Sequence, residues 1–285
     1  MELLRKNPKD FVERSNLRGI LVLAGDWGAI GLTIAFSLWL DSWFFYPIAV
    51  WLIGSFQFAL AEALLHEASH YNLFRQRSWN DRAEIFCGLP FFCTMEQMRR
   101  EHMVHHTRLG QPEDHNQGDY QAMGLFRPRV NLFWIWFLRP VLGYAGFYYV
   151  RSLSLRPWQE GRKLVAFWAV ALAVFAAFGV LHLLLLYWLI PFGWACMSFL
   201  YWSEITDHYR TVTGIRSNVG WLNNLLHHNN GFHFTHHHYP TIPWYRLPQA
   251  TRALTPGQGD ISHGFFDTYR SLRSWQLRQQ REVIG

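Results

Sequence analysis

The feature that most restricts the fold is a run of forty residues, Leu164 to Ser203, that contains no Asp, Glu, Lys or Arg. One helix needs about 20 apolar residues to cross the ~30 Å hydrocarbon core of a bilayer, so this run is long enough for two crossings. Only helices and closed barrels satisfy their backbone polar groups inside a bilayer. We therefore expect a helical hairpin, with spans at about 164–181 and 183–203 that are joined by a turn near Gly179.

Two apolar runs near the N-terminus predict another hairpin. Residues 20–40 contain Asp26 as their only charged residue, and residues 42–65 contain only Glu62. A helix from residue 42 to residue 70 is roughly 43 Å long at 1.5 Å per residue, so its last turns would extend beyond the bilayer core into water. The turns of both hairpins lack Lys and Arg. The positive-inside rule therefore places the opposite side, where the polar segments lie, in the cytoplasm.

The composition favours a membrane protein and leaves histidine as the main source of metal ligands. Hydrophobic residues make up 50% of the chain and aromatic residues 18%, which is high for a soluble protein. The net charge of +6 comes from basic residues in the polar segments, which suits a membrane surface, and no nucleic-acid-binding motif occurs. The three cysteines, at positions 87, 93 and 196, lack paired ligand spacing. We expect one domain, 1–285, with a cap formed by 66–163 and 204–285.

Two segments have an ambiguous relation to the bilayer. Residues 131–150 are rich in aromatic side chains but are interrupted by Arg139 and Pro140. A central arginine costs about 2.5 kcal/mol or more to insert, so we expect this segment to lie in the interface. Near the C-terminus, apolar residues recur at helical spacing at Phe266, Tyr269, Leu272 and Trp275. This tail is expected either to lie along anionic lipid or to pack on the cap.

Three histidine-rich stretches lie in the polar segments. Their sequences are HEASH from His66, HMVHH from His102, and GFHFTHHHYP from Gly231. Imidazole is the commonest protein ligand for iron, zinc and copper. In a helix, His66 and His70 lie on the same face, one turn apart, and can serve one metal cluster.

The second and third stretches predict two metals rather than one. If HMVHH is helical, His102 and His106 share a face, whereas His105 is rotated by about 100° from His106. Adjacent histidines then point toward different metals. The same spacing recurs in the third stretch, at His233, His236 and His237.

Other classes of protein could use part of this pattern. HEASH matches the zinc metalloprotease signature, with Glu67 as a possible general base. Zinc in such a site needs only one further protein ligand, which would leave two histidine stretches unexplained. A histidine-lined metal carrier would place ligands inside the spans, where only His182 lies. The membrane zinc protease stays open as an alternative of another class.

The three boxes taken together, HxxxH, HxxHH and HxxHH with hydrophobic hairpins between them, resemble those of the membrane fatty acid desaturase and hydroxylase superfamily. The flanking sequences HYNLFR, HTRLGQPED and HHHYPTIPWYRLP are similar to those of bacterial and acyl-lipid desaturases. The resemblance extends from His66 to about Pro248. It implies an all-α integral membrane fold, in which a stalk of four helices carries a helical cytosolic cap that holds two irons.

The resemblance also implies the ligand set. A ninth histidine is expected between the last span and the third box, and His208 fits that position. The family pattern assigns one iron to His66, His102, His106 and His236. It assigns the other iron to His70, His105, His208, His233 and His237. Glu204, one turn before His208, could bind iron directly.

The expected activity is an O2-dependent oxidation of an unactivated C–H bond in a lipid acyl chain, with formation of a double bond. Protein acid–base groups cannot cleave such a bond, so the metal centre must supply the oxidising chemistry. A hydroxylase or ketolase of a lipid or carotenoid is the alternative. The sequence contains no haem domain of the cytochrome b type, so an external donor such as ferredoxin with its reductase is expected. Arginine-rich usage favours a bacterial inner membrane.

Ligating histidines usually donate their second N–H to a carboxylate or carbonyl. By sequence proximity to the boxes, Glu62, Glu101 and Asp207 are the expected acceptors. Asp114 is interpreted as a structural residue, and His227 and His228 are assigned no role.

Overall fold

The computed structural model describes residues 7–127, 130–152 and 158–284, and this part of the chain is mostly helical. The helices that organise it are α1 (Asn16–Leu40), α2 (Tyr46–Ser69), α3 (Met95–Arg108), α4 (Trp158–Ala177), α5 (Leu181–His208), α6 (Trp221–Leu226), α7 (His233–His238) and α8 (Phe265–Ile284). The shorter helical segments are Pro8–Phe11, Arg77–Arg82, Glu84–Cys87, Leu89–Phe91, His115–Ala122, Trp134–Leu138, Arg139–Val141, Tyr144–Ser152, Trp244–Arg246 and Leu247–Leu254. The predicted cap extends into residues 128–129 and 153–157, which lie outside the described residues, as do 1–6 and 285.

A short parallel sheet lies among these helices. Strand β1 (Arg216–Asn218) pairs with strand β2 (Asp260–Ser262), with Arg216 opposite Asp260. The sheet joins the segment after α5 to the segment before α8.

Three of the described helices, α1, α2 and α5, are long and apolar enough to cross a membrane. Helix α1 begins after Ser15, whose side chain accepts a hydrogen bond from the Arg18 N–H, and it ends at Asp41, where φ is 44°. Of the most apolar 18-residue stretch of each helix, 67% is buried inside the protein in α2 and 17% in α1. Helix α2 is therefore central, whereas α1 presents most of its surface to its surroundings.

The turn expected near Gly179 lies between α4 and α5. Gly179 has a φ of 69°, a left-handed conformation that glycine adopts without steric cost. Helix α5 then continues to His208, five residues beyond the predicted end of the span at 203. This extension carries a histidine into the region of the three boxes.

Short π-helical stretches interrupt both long central helices. One occupies Ala59–Leu64 of α2, directly before His66. Two others, Leu185–Leu189 and Phe192–Cys196, flank Pro191 in α5. Proline lacks an N–H and displaces the carbonyl one turn earlier, so wider turns are expected beside it.

The two ambiguous segments are helical but differ from spans. Residues 131–150 do not form one continuous helix, because the helical turns that include Pro140 end at Val141 and a separate helix begins at Tyr144, after Gly143 with its φ of 74°. The tail forms α8, and its Leu272 is fully buried. The ring of Tyr269 lies 5.0 Å from that of Phe137. The tail therefore packs on the cap, which is the second of the two alternatives.

Polar contacts join the apolar helices to one another and to the cap. The buried carboxylate of Asp26, in α1, lies 2.8 Å from Nε2 of His228. Further along α1, the hydroxyl oxygen of Ser37 lies 3.0 Å from that of Tyr187 in α5. A charged residue inside an apolar helix is expensive unless it is paired, and the contact with His228 supplies that partner for Asp26.

Helices α2 and α5 approach each other closely at Gly54. A Cβ atom added there would lie 2.4 Å from Cβ of Ala195 and 2.7 Å from the backbone nitrogen of Cys196. No real Cβ tolerates such distances, and one of the obstructing atoms belongs to the backbone. The contact between these helices therefore requires glycine.

We expect Gly54→Val to destabilise the protein by about 1–3 kcal/mol, because overpacking forces the two backbones apart. The measurement is the apparent melting temperature in one detergent. Gly31→Val in α1 is the control, since nothing lies within 4 Å of a Cβ added there. Equal melting temperatures for the two variants would contradict this account of the helix contact.

Candidate metal centre

The nine expected histidines come from four helices whose ends meet. Helix α2 and the residue after it supply His66 and His70, and α5 supplies its last residue, His208. Helix α3 supplies His102, His105 and His106, and α7 supplies His233, His236 and His237. Parts of the chain up to 170 residues apart are thereby brought into contact.

The first group contains five histidines whose candidate ligand atoms all lie within 4.8 Å of one another: His66, His70, His102, His106 and His236. The Nε2 atoms of His66 and His236 are 2.7 Å apart, and those of His70 and His102 are 2.8 Å apart. Nε2 of His106 lies 2.9 Å from that of His102 and 3.1 Å from that of His236. The five rings therefore face one common point.

The second group contains the other four: His105, His208, His233 and His237. Nε2 of His208 lies 3.0 Å from Nε2 of His105 and 2.9 Å from that of His233. His233 and His237, one turn apart, have their Nε2 atoms 3.0 Å apart.

The division follows helical rotation, and it differs from the family pattern at one position. His102 and His106 belong to the first group and His105 to the second, which is the division that about 100° per residue predicts. His70 was expected in the second group, but the structure places it in the first. The physical reason is that His66 and His70 lie one turn apart at the same helix end, so both rings point to the same place.

The donor set fits a metal ion in each group. Burial lowers the pKa of His70 to about 4 and, with the neighbouring imidazoles, that of His106 to about 3. Burial followed by repulsion from nearby histidines also lowers the pKa of the other cap ligands, namely His102, His233, His236 and His237. These rings are therefore neutral at pH 7, which is the form that binds metal.

The Nε2 atoms that face each other cannot all be hydrogen-bonded to one another. One proton can bridge only one pair of Nε2 atoms, whereas each group contains several pairs that face each other at 2.7–3.1 Å. Ligands at right angles around a metal, with bonds of about 2.1 Å, are about 3 Å apart. A cation would contact every lone pair at once.

Two oxygen atoms hold ligand rings from behind. Oδ1 of Asp114 lies 3.0 Å from Nδ1 of His105, and the carbonyl oxygen of Gly214 lies 3.0 Å from Nδ1 of His208. Burial raises the pKa of Asp114, but the hydrogen bond from His105 and its neighbours outweigh this effect, so the pKa is lowered overall. Asp114 is therefore an orienting residue that the sequence analysis missed, and its position nine residues after His105 is the only signal it gave.

The carboxylates expected to support the ligands make other contacts. Asp207 accepts a hydrogen bond from the Ser203 hydroxyl at 3.0 Å, and Glu101 accepts one from the Gln97 amide at 3.1 Å. Glu62 makes no hydrogen bond to any of the described residues. None of the three accepts an N–H from a histidine ring in the part of the chain that the structure describes.

Glu204 is not among the two groups of candidate ligands. Its carboxylate accepts a hydrogen bond from the Tyr149 hydroxyl instead, and its carbonyl oxygen accepts one from Tyr120 at 2.7 Å. The side-chain geometry therefore does not favour direct binding of a metal by Glu204.

A cavity of about 260 Å³ adjoins both groups. Histidines of both groups line one part of it, and buried apolar side chains such as Phe91 and Met197 line another. Its acidic lining residues are Glu62, Glu101, Asp119, Glu204 and Asp207. No Lys or Arg lines it among the described residues. Carboxylates beside a metal site can balance the charge of bound metal ions.

Long apolar helices and two adjacent groups of buried and half-buried histidines define a membrane-type helical protein with a candidate dinuclear metal centre. The chain belongs to the fatty acid desaturase family, because the family model described as "Fatty acid desaturase" matches residues 41–269. It is therefore an oxidoreductase of that family.

Similar proteins are themselves desaturases. The chain is 27% identical to dihydrorhizobitoxine desaturase of Bradyrhizobium elkanii, over 87% of this chain and 78% of that protein. It is 26% identical to the sn-1 acyl-lipid omega-3 desaturase (ferredoxin) of Synechocystis, over 94% of this chain and 86% of that protein. The same enzyme of Nostoc is 24% identical, over 82% of this chain and 74% of that protein.

We expect Asp114→Asn to weaken metal binding by about 10–100-fold, because the amide cannot hold the His105 ring as the carboxylate does. The measurement is a titration of the metal-depleted protein with Fe²⁺ or Co²⁺, followed by absorbance. Glu113→Gln is the control, since this exposed neighbour makes no contact with a histidine of either group. Unchanged affinity in the Asp114 variant would remove the orienting role.

Proposed function

We propose that this protein is an O2-dependent di-iron desaturase that introduces a double bond into a lipid acyl chain. The observation that carries the proposal is the convergence of nine imidazoles into two adjacent groups beside one cavity. A single zinc ion would need only three or four of them.

One iron would be held by the first group, His66, His70, His102, His106 and His236. The other would be held by the second group, His105, His208, His233 and His237. When bound, the irons supply the oxidising power that an unactivated C–H bond requires and that protein acid–base groups lack. The proposal differs from the family pattern at His70, for which the geometry favours the first iron.

The protein positions the substrate, balances the charge of the metal centre and excludes water. Apolar side chains, including Phe91, Phe192 and Met197, line the cavity beside the histidines and can hold a methylene chain against them. Glu62 and Asp207 reach the same cavity, and we assign them the role of balancing the charge of the metal centre. No catalytic residue is proposed beyond the metal ligands.

The names of the relatives support desaturation more strongly than any one substrate. Two relatives are named as acyl-lipid desaturases that use ferredoxin, and a third is named for dihydrorhizobitoxine. Desaturation is common to all three names. We take the acyl-lipid substrate and a ferredoxin-type donor as the proposal, because the apolar lining of the cavity suits a hydrocarbon chain.

We also propose that α4 is a fourth span and that the metal centre lies on the cytoplasmic face of a bacterial inner membrane. Apolar side chains of α4, such as Val165, Val170 and Val174, are exposed on the protein surface, as expected of side chains that face lipid. The α1–α2 and α4–α5 turns lack Lys and Arg, which supports this orientation.

The position of Glu67 does not favour the role of general base that the zinc protease alternative requires. Oε2 of the buried Glu67 accepts a hydrogen bond from the backbone N–H of Trp244 at 3.1 Å. Glu67 does not line the cavity that the histidines of both groups share.

The proposed reaction predicts a product about two mass units lighter than the substrate, since two hydrogen atoms are removed and no oxygen is added. The purified protein is loaded with iron, placed in bilayer nanodiscs and supplied with O2, ferredoxin, its reductase and NADPH, which provides the two electrons that the reduction of O2 to water requires besides those from the substrate. Lipids are then analysed by mass spectrometry. A product heavier by about sixteen mass units would instead identify a hydroxylase, and bound zinc with unchanged lipids would contradict oxidation altogether.

Removal of one imidazole from either group is expected to abolish conversion. His102→Ala affects the first group and His233→Ala the second. Each variant should contain less iron than the wild type and form no detectable alkene. His182→Ala is the matched control, since this exposed histidine lies in the first turn of α5, outside both groups. Full activity of either ligand variant would contradict the two-metal assignment.

A further inference from the structure

A second cavity, of about 450 Å³, lies beside the metal cavity. It is bounded by α2, α5, α6 and the residues around Phe265. Its wall is aromatic: the rings of Trp51, Phe199 and Trp202 lie 5.7–5.9 Å from one another. The site described above does not use this cavity.

The cavity borders the part of the protein that faces the bilayer. Trp51 and Phe199 belong to α2 and α5, two of the helices that are apolar enough to cross a membrane. On the opposite wall, α6 presents Trp221, which is 74% exposed, and Leu222, which is 52% exposed. Exposed large apolar side chains beside spanning helices are expected to contact lipid, and tryptophan is enriched where a bilayer meets water.

The lining suits an uncharged chain. No Lys or Arg lines this cavity among the described residues, so a phosphate group would find no counter-ion inside it. The polar side chains there include His227, whose Nε2 lies 3.1 Å from the Ser55 hydroxyl oxygen. Burial and the neighbouring His228 lower the pKa of His227 to about 3, so this ring is neutral at pH 7.

Only a thin partition separates the two cavities. Ser203, Asp207 and Asn230 line both of them. The Ser203 hydroxyl donates to Asp207 at 3.0 Å, and the Asn230 amide donates to the Ser203 oxygen at 3.5 Å. Hydrogen bonds thus join the side chains of these three residues, and rotamer changes can move such side chains.

We propose that the aromatic cavity is the access site for the acyl chain of a membrane lipid, which passes the Ser203 partition to reach the histidines. The inference rests on the proposed function, because it names the route of that substrate. A methylene chain that leaves the bilayer through this cavity stays in contact with apolar side chains. Exposure of each methylene to water would instead be unfavourable.

The test begins by placing a larger side chain inside the cavity, at a residue that is not a metal ligand. Leu226 lines the cavity, whereas Leu225, on the same helix, is exposed and does not line it. Leu226→Trp and Leu225→Trp therefore add the same side chain inside and outside the site. Iron-loaded proteins are placed in nanodiscs that contain a phospholipid with a photoreactive diazirine in its acyl chain, and labelled peptides are mapped by mass spectrometry.

The wild type and Leu225→Trp should be labelled at residues of the aromatic wall, such as Trp202. We expect Leu226→Trp to reduce that labelling and the rate of conversion at least about tenfold, with unchanged iron content. Wild-type labelling confined to the outer faces of α1 and α2 would overturn the proposal. So would a normal rate of conversion in Leu226→Trp.

The partition is tested separately with Ser203→Phe, which should block conversion while iron content and labelling of the aromatic wall are retained. Normal conversion by Ser203→Phe would show that the chain does not pass this point. A labelled cavity in iron-loaded protein that forms no alkene would overturn the proposed function and leave the binding site standing. Conversion without labelling would do the reverse.

Discussion

The convergence of nine imidazoles, five buried and four half-buried, at one place between the helices is the constraint on which the rest of the structure depends. A buried polar atom without a partner costs about 1–3 kcal/mol, and the facing Nε2 atoms cannot all satisfy one another. Nδ1 of His233 and of His236 is also buried without a hydrogen-bond partner among the described residues. Packing, and not hydrogen bonding, therefore orients these two rings, while Asp114 and Gly214 fix two others.

Long apolar helices solve the problem of carrying polar ligands to a membrane surface. Helix α2 has 24 residues and α5 has 28, so they extend over about 36 Å and 42 Å, beyond the ~30 Å core of a bilayer. The excess length is where His66 and His208 lie. The close approach of the two helices at Gly54 fixes their relative position. A ligand of the first box and His208 are thereby held on rigid elements.

The sequence was sufficient for the features that depend on local periodicity. Uninterrupted apolar runs predicted α1, α2 and α5, and the rotation of about 100° per residue predicted that His105 separates from His102 and His106. Features that depend on tertiary contacts could not be found in this way. Asp114 reaches His105 only because the chain turns back after α3, and Glu204 is directed to Tyr149 by a segment 55 residues away.

The location of the C-terminal tail also depends on tertiary contacts. Its period is equally suitable for a lipid surface and for a protein surface, so the pattern alone could not decide between them. The ring of Phe137, in the aromatic segment 131–150, supplies the protein surface on which Tyr269 packs. This segment, which does not form a span, therefore supports α8.

The loop before the third box shows how the apolar helices control the metal centre. His228 and Asn229 have φ values of 51° and 58°, an uncommon conformation for residues other than glycine, so contacts must hold this turn. His227 contacts Ser55 of α2, and His228 contacts Asp26 of α1. Two polar residues inside apolar helices therefore anchor the loop that leads into α7. Through them, the position of the third box relative to the first is set within the helical hairpin itself.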